Sequence, residues 1–264
     1  MGGATQPGVT LQGTLMNHQH TLSSVGAQVR EMNSLAFANI PYILGEANSL
    51  YDQGKPGLSN TFGAALWGVD FLLWCASVGI RRVHMHQGTS YRYGFWQPVN
   101  AVKESIGTKP PYYGNIAVAA MLGNLVSNKV QIANIPFQNS SVDAVYVAYV
   151  DEKLARIAVI NMREYNYTEG GIGPGLNNIT RPSQNYFFQV PQQSGEVAIQ
   201  RLRANGSDAI SGITWDGLSY NWDLDRGKPV RMNNVTIGEK TQIISGIVTV
   251  SVPDSSAVIL NLCT

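Results

Sequence analysis

The feature that most constrains this chain is a change of period near residue 130. Before it, two short apolar runs, ANIPYIL (38–44) and IRRVHMH (80–86), each lead through a long loop into a stretch with helical character. Phe62, Ala65, Leu66, Val69, Leu73 and Ala76 recur at helical spacing, Ser59 or Thr61 can cap the start, and Gly79 follows the last turn. A helix is expected there. Pro110 and Pro111 open a second helix through Tyr113, Ile116, Ala117, Ala120 and Met121, because a first-turn position does not need its amide. Strand, helix, strand, helix with long loops after the strands is the rhythm of a (β/α) barrel or a doubly wound sheet. Two strands cannot close a barrel, which takes about eight.

After residue 130 the runs shorten to DAVYVAYV, LARIAVIN, NYFFQV, EVAIQRLR, KPVRM, IISGIVTVSV and AVILNL, separated by turn residues. Strands in that number without helices between them imply an antiparallel sandwich with polar faces outward. The fold class expected is therefore α/β plus all-β, with residues 1–130 in the first part and 131–264 in the second. The first thirty residues are polar and mixed, with LQGTLMNHQHTL expected as a strand exit or a helix start.

Charge excludes two classes of partner. Lys and Arg number 18 against 17 Asp and Glu, and no run of like charge offers a footprint for nucleic acid or a membrane surface. No stretch reaches the roughly 18 apolar residues of a membrane span, and the first thirty residues carry no signal-peptide core. Cys75 in an apolar helix-like run and Cys263 near the end form neither a disulfide framework nor a metal spacing. Five N-x-S/T sequons, at Asn139, Asn166, Asn178, Asn205 and Asn234, lean towards the secretory pathway.

Three groups could carry chemistry. Glu46, in LGEANS at the exit of the first apolar run, is either a solvated loop charge or a carboxylate aimed into a cleft. His18/His20 and His84/His86 are H-x-H pairs, which on a strand point to one face as metal ligands would, so a metal-dependent hydrolase is one alternative. Trp215-Asp216-Gly217 and Trp222-Asp223 could form a sugar-stacking platform, or brace the sandwich.

The long segment LGEANSLYDQGKPGLSNTFGAALWGVDFLLWCASVGIRRVHMHQG, residues 44–88, with GITWDGLSYNWDLDRGKPV, residues 212–230, resembles the C-terminal half of glycoside hydrolase family 79, the fungal β-glucuronidases and their heparanase relatives. The resemblance implies the C-terminal portion of a (β/α)8 TIM barrel followed by a β-sandwich, in a secreted, retaining exo-glycosidase that removes terminal β-glucuronosyl groups without metal or organic cofactor. Glu46 matches the family's nucleophile. Retaining chemistry sets a carboxylate and a carboxylic acid about 5 to 5.5 Å apart across the sugar. The family's acid/base lies in an Asn-Glu pair, and this chain has no such dipeptide; it and six strands are expected upstream of Met1. Tyr51, Gly54, Tyr93, His86 and Asn48 are the expected substrate-binding residues, with Arg92 as a further donor. A non-catalytic carbohydrate-binding role is the other alternative.

Overall fold

Whether a strand is buried on one face or on both decides how this chain is layered. The structure is a computed structural model and describes residues 7–137, 140–167, 180–233 and 235–262. Asn139, Asn178, Asn234 and Cys263 lie outside the described residues.

The N-terminal region is helical. A π-helical turn, Leu11–Leu15, leads into α1 (His18–Ser24) and α2 (Gly26–Ser34). Asn17 caps α1 by accepting from the His20 amide at 3.2 Å, and Leu11, Leu15, Met16 and Val25 are buried. His18 and His20 thus sit on a helix, where residues two apart do not share a face.

Strand β1 (Ile43–Ala47) starts later than ANIPYIL suggests and is not buried: Ile40 is 72% exposed and Ile43 44%. The reason is pairing. Helix α3 (Phe62–Ser77) crosses to β2 (Arg82–Met85), and β1 and β2 run parallel with Ile43 opposite Arg82 and Leu44 opposite Val83. Among the described residues no third strand joins this two-stranded sheet. No barrel is closed within them.

Helix α3 is buried nearly all round, as its apolar sequence requires. Thr61 occupies the N-cap, but its hydroxyl donates to the Leu58 carbonyl at 2.8 Å. The first amides of the helix, of Phe62 and Gly63, donate instead to Ala209 O at 2.8 Å and Ser207 O at 2.7 Å, far along the chain. A hairpin of β3 (Trp96–Gln97) and β4 (Gly107–Thr108) interrupts the next loop, and α4 (Pro110–Leu122) follows. Gly114 of α4 lies so close to α3 that a Cβ there would meet Ala65 O at 2.5 Å.

The second part is antiparallel: β5 (Val130–Ile135), β6 (Asp143–Val150), β7 (Lys153–Asn161), β8 (Ser183–Gln189), β9 (Ser194–Arg203), β10 (Thr214–Trp215), β11 (Leu218–Ser219), helix α5 (Trp222–Asp225), β12 (Val230–Arg231), β13 (Glu239–Ile244), β14 (Ile247–Pro253) and β15 (Ser256–Asn261). One layer runs β5-β6-β7-β15-β9 and continues through β10 to β12; β9 also pairs with β13, which leads through β14 to β8 in the other layer. IISGIVTVSV is therefore two strands, broken at Ser245 and Gly246, whose φ of 50° and 78° make a two-residue hairpin turn.

The expectation of polar outer faces fails for one layer. Val145, Val147, Val159, Val258 and Leu260 face the sandwich interior with Tyr186, Phe188, Val248 and Val250. The opposite faces of β6, β7 and β15 present Ala144, Ala148, Ala158 and Ala257, with Tyr146, Ile160 and Ile259, to the core shared with α3 and α4. Alanines on that face let the helices pack closely. By contrast β14 alternates buried and exposed, the pattern of an outer strand.

Candidate functional site

Parallel β1 and β2 end side by side, and the carboxyl ends of parallel strands are where such folds gather their chemistry. The pairing slips register between Leu44 and Ala47, an irregularity that re-aims side chains. It falls on Gly45 and Glu46. The His86 amide then donates to Ala47 O at 2.9 Å and holds the two strand exits together.

Across this junction His86 Nδ1 lies 3.2 Å from Glu46 Oε1 and 3.0 Å from the Tyr93 hydroxyl. The hydrogen bond of Nδ1 is the one with the Tyr93 hydroxyl, its direction set by the imidazole tautomer, and the Glu46 carboxylate lies at ion-pairing distance from the same nitrogen. Burial pushes the Tyr93 phenol up, and the nearby Tyr91, Glu46 and Asp52 push it further. It stays a neutral hydroxyl. Tyr91 packs edge-on to His86 at 5.4 Å between ring centres and to Tyr93 at 5.6 Å, which fixes the imidazole plane.

Glu46, Asn48, Tyr51, His86 and Tyr93 of the expected residues line one open cleft of about 400 Å³, together with Asp52, Gln53 and Tyr91. Tyr51 is 78% exposed at its mouth. Asn48 is committed to the protein's own backbone: its Nδ2 donates to His86 O at 2.9 Å and Tyr93 O at 3.4 Å, and its Oδ1 accepts from the Ser49 amide at 2.8 Å. Gly54 holds the loops at close approach. Its φ is +83°, and a Cβ would stand 2.7 Å from Ser59 Cβ and 3.1 Å from the Tyr93 amide. The Arg92 amide donates to Gln53 O at 2.8 Å, so backbone joins the two loops there.

Both H-x-H pairs have acidic company that the sequence did not reveal. Beside His86 stands Glu46; His18 Nδ1 is 2.9 Å from Asp70 Oδ1, to which the Tyr146 hydroxyl donates at 2.6 Å. That second cluster is buried between α1, α3 and β6, with Asp70 fully inaccessible. It serves packing. No group of three or more His, Cys, Asp or Glu arranged to hold a metal occurs among the described residues. Trp215 is buried and offers no open face to a sugar, while Trp222 packs on Gly107, where a Cβ would meet its own at 2.8 Å. Trp215 belongs to the core shared with α3 and α4, as the bracing reading expects, and Trp222 is half-buried beside β4.

Residues 145–259 match the glycosyl hydrolase family 79 C-terminal beta domain. A "Beta-glucuronidase" of Aspergillus niger is 55% identical over 99% of this chain and 49% of its own length. The chain belongs to glycosyl hydrolase family 79. A second family relative, a "Beta-glucuronidase" of Neurospora crassa, is 50% identical over 89% of this chain and 46% of its own length. The chain thus spans about half the length of the curated relatives it matches. Among solved structures, a 4-O-α-L-rhamnosyl-β-D-glucuronidase from Fusarium oxysporum, in complex with Rha-GlcA, superposes with a TM-score of 0.77 at 23% identity, over 96% of this chain and 50% of that one. An α-L-arabinofuranosidase from Thermotoga maritima superposes at 0.53 and 12% identity, over 96% and 50%. Both are likenesses of fold.

Proposed function

We propose that the protein acts in the hydrolysis of terminal β-glucuronosyl groups from glycoconjugates by a retaining mechanism, with Glu46 as nucleophile. One observation carries the reading: Glu46 stands at the carboxyl end of two parallel strands, with one carboxylate oxygen 3.2 Å from His86 Nδ1 in an open cleft. The other oxygen is left to face the sugar. In the first step that oxygen forms a bond to the anomeric carbon while an acid protonates the leaving oxygen; in the second, water releases the sugar and Glu46 is restored. In this reading β1, α3, β2 and α4, within residues 1–130, are two units of a (β/α)8 barrel whose other strands and whose acid lie outside these 264 residues. Residues 131–264 are the appended sandwich. The names of the relatives support glucuronides as the substrate class, with Tyr51 as a donor at the mouth of the cleft. The reading also places the protein in the secretory pathway, with the exposed Asn205 open to a glycan.

The test uses the full-length polypeptide that carries this chain. Glu46→Gln is expected to abolish release of 4-nitrophenol from 4-nitrophenyl β-glucuronide. Added azide is expected to restore turnover to Glu46→Gly and to yield the α-glucuronosyl azide, because azide attacks from the face the carboxylate has left. A β-azide product, or near wild-type turnover by Glu46→Gln, refutes the nucleophile role.

A further inference from the structure

The lining of the Glu46 cleft is acidic. Glu46 and Asp52 both contribute carboxylates, and no Lys or Arg is among its lining residues. An acidic sugar entering it would meet like charge, and a carboxylate that leaves water needs a cation or several N–H donors in return. His86 does not fill that need, because its Nδ1 is hydrogen-bonded with Tyr93 and lies 3.2 Å from Glu46.

A cation stands one side chain away. Lys103 Nζ donates to Gln53 Oε1 at 2.8 Å, and Gln53 lies on the cleft wall. Lys103 makes no ion pair with another described residue, whereas its neighbour Glu104 is already engaged by Lys109 Nζ at 3.2 Å. Asp52, Gln53 and Gly54 all have positive φ, at 55°, 64° and 83°, and Arg92 N holds Gln53 O. The loop that carries Lys103 is braced as well, by Ala101 N to Glu104 O at 3.0 Å and Ile106 N to Asn100 Oδ1 at 2.9 Å. The amides of Asp52 and Gln53 make no hydrogen bond to another described residue, so unsatisfied donors and an unpaired cation share one rim.

We propose that Lys103 is the specificity-determining cation that admits an acidic sugar to the Glu46 cleft, through its contact with Gln53 at the rim. This rests on the glucuronidase reading. Lys103 offsets the charge of Glu46 and Asp52 and favours a uronate over a neutral sugar of the same shape.

The experiment compares full-length wild type, Lys103→Gln, Lys103→Arg and Arg92→Gln on 4-nitrophenyl β-glucuronide and its uncharged glucuronamide, with folding checked by circular dichroism. Lys103→Gln is expected to lower kcat/KM for the glucuronide about five- to tenfold through KM, between an exposed ion pair and a charge-assisted hydrogen bond. The glucuronamide is expected to change less than about twofold. Lys103→Arg keeps most of the preference, and the wild-type KM for the glucuronide rises with salt while that of Lys103→Gln does not. Equal losses on both substrates, an unchanged glucuronide KM, or a loss seen only in Arg92→Gln overturns the proposal. Wild type that hydrolyses no β-glucuronide refutes the underlying reading first, and the proposal with it.

Discussion

Replacing Asp143 with Asn removes one charge from the seam between the two layers of the sandwich. Asp143 heads β6 and is 3% exposed. It accepts from Arg163 Nη1 at 2.7 Å and Nη2 at 2.8 Å, from Ser140 at 2.5 Å and from the Tyr186 hydroxyl on β8. Burial works against its charge, but the bonds from Arg163, Ser140 and Tyr186 outweigh it and hold the carboxyl below the usual carboxylate range. An amide of the same shape keeps one acceptor and turns two N–H donors towards groups that are themselves donors. Breaking a buried pair costs about 3 to 5 kcal/mol. Because the Arg163 side chain is 33% exposed, water recovers part of that, and about 3 kcal/mol is the expected loss. That corresponds to a melting temperature lower by about 6 °C for a chain of this size. The sign with pH follows from the lowered carboxyl. The advantage of wild type is complete at neutral pH and shrinks as pH falls below about 4, through the folded value. Urea unfolding of both proteins at pH 7 and at pH 3 checks this. A difference below about 1 kcal/mol at pH 7, or one that persists unchanged at pH 3, refutes the reasoning.

Gly114→Ala is expected to destabilise by about 2 kcal/mol or more despite alanine's better helix propensity, since its Cβ would fall 2.5 Å from a carbonyl oxygen of α3; denaturant titration decides, and a stabilised variant would show that the two helices separate easily. Burial, with the field of Asp70, pushes the Cys75 thiol up to about 12, so in folded protein at pH 8 iodoacetamide should leave residue 75 unmodified and label it only after denaturation. Peptide mapping that finds it alkylated in the native state would count against the buried placement of α3.

Local signals were legible where the residues themselves carried them. The spacing from Phe62 to Ala76 marked α3 from a sequence window alone, and DAVYVAYV is β6 from end to end. The partners were not legible. Thr61 was recognisable as a cap by type, yet the α3 amides take carbonyls from residues 207 and 209. The α1 region reads only as polar and mixed because its anchor is His18 on Asp70, two polar residues 52 positions apart. The exposure of ANIPYIL was not legible, because an apolar run reveals its β propensity but not how many neighbours it has. Glu46 was singled out through the family resemblance of its segment. Its approach to His86 was not, since that depends on where a second strand ends.

The carbonyls that terminate α3 have a consequence for how the protein is made. Phe62 and Gly63 leave the ribosome well before Ser207 and Ala209 exist, so the helix behind the Glu46 loop begins life with its first amides open to water. It can be finished only after the segment joining β9 to β10 has been synthesised and has closed onto it. A nascent chain stalled before that segment should lack a settled cleft even though every cleft residue has already been translated. Contacts this distant in sequence make folding slow, and maturation of the site then becomes a late event, timed by the sandwich.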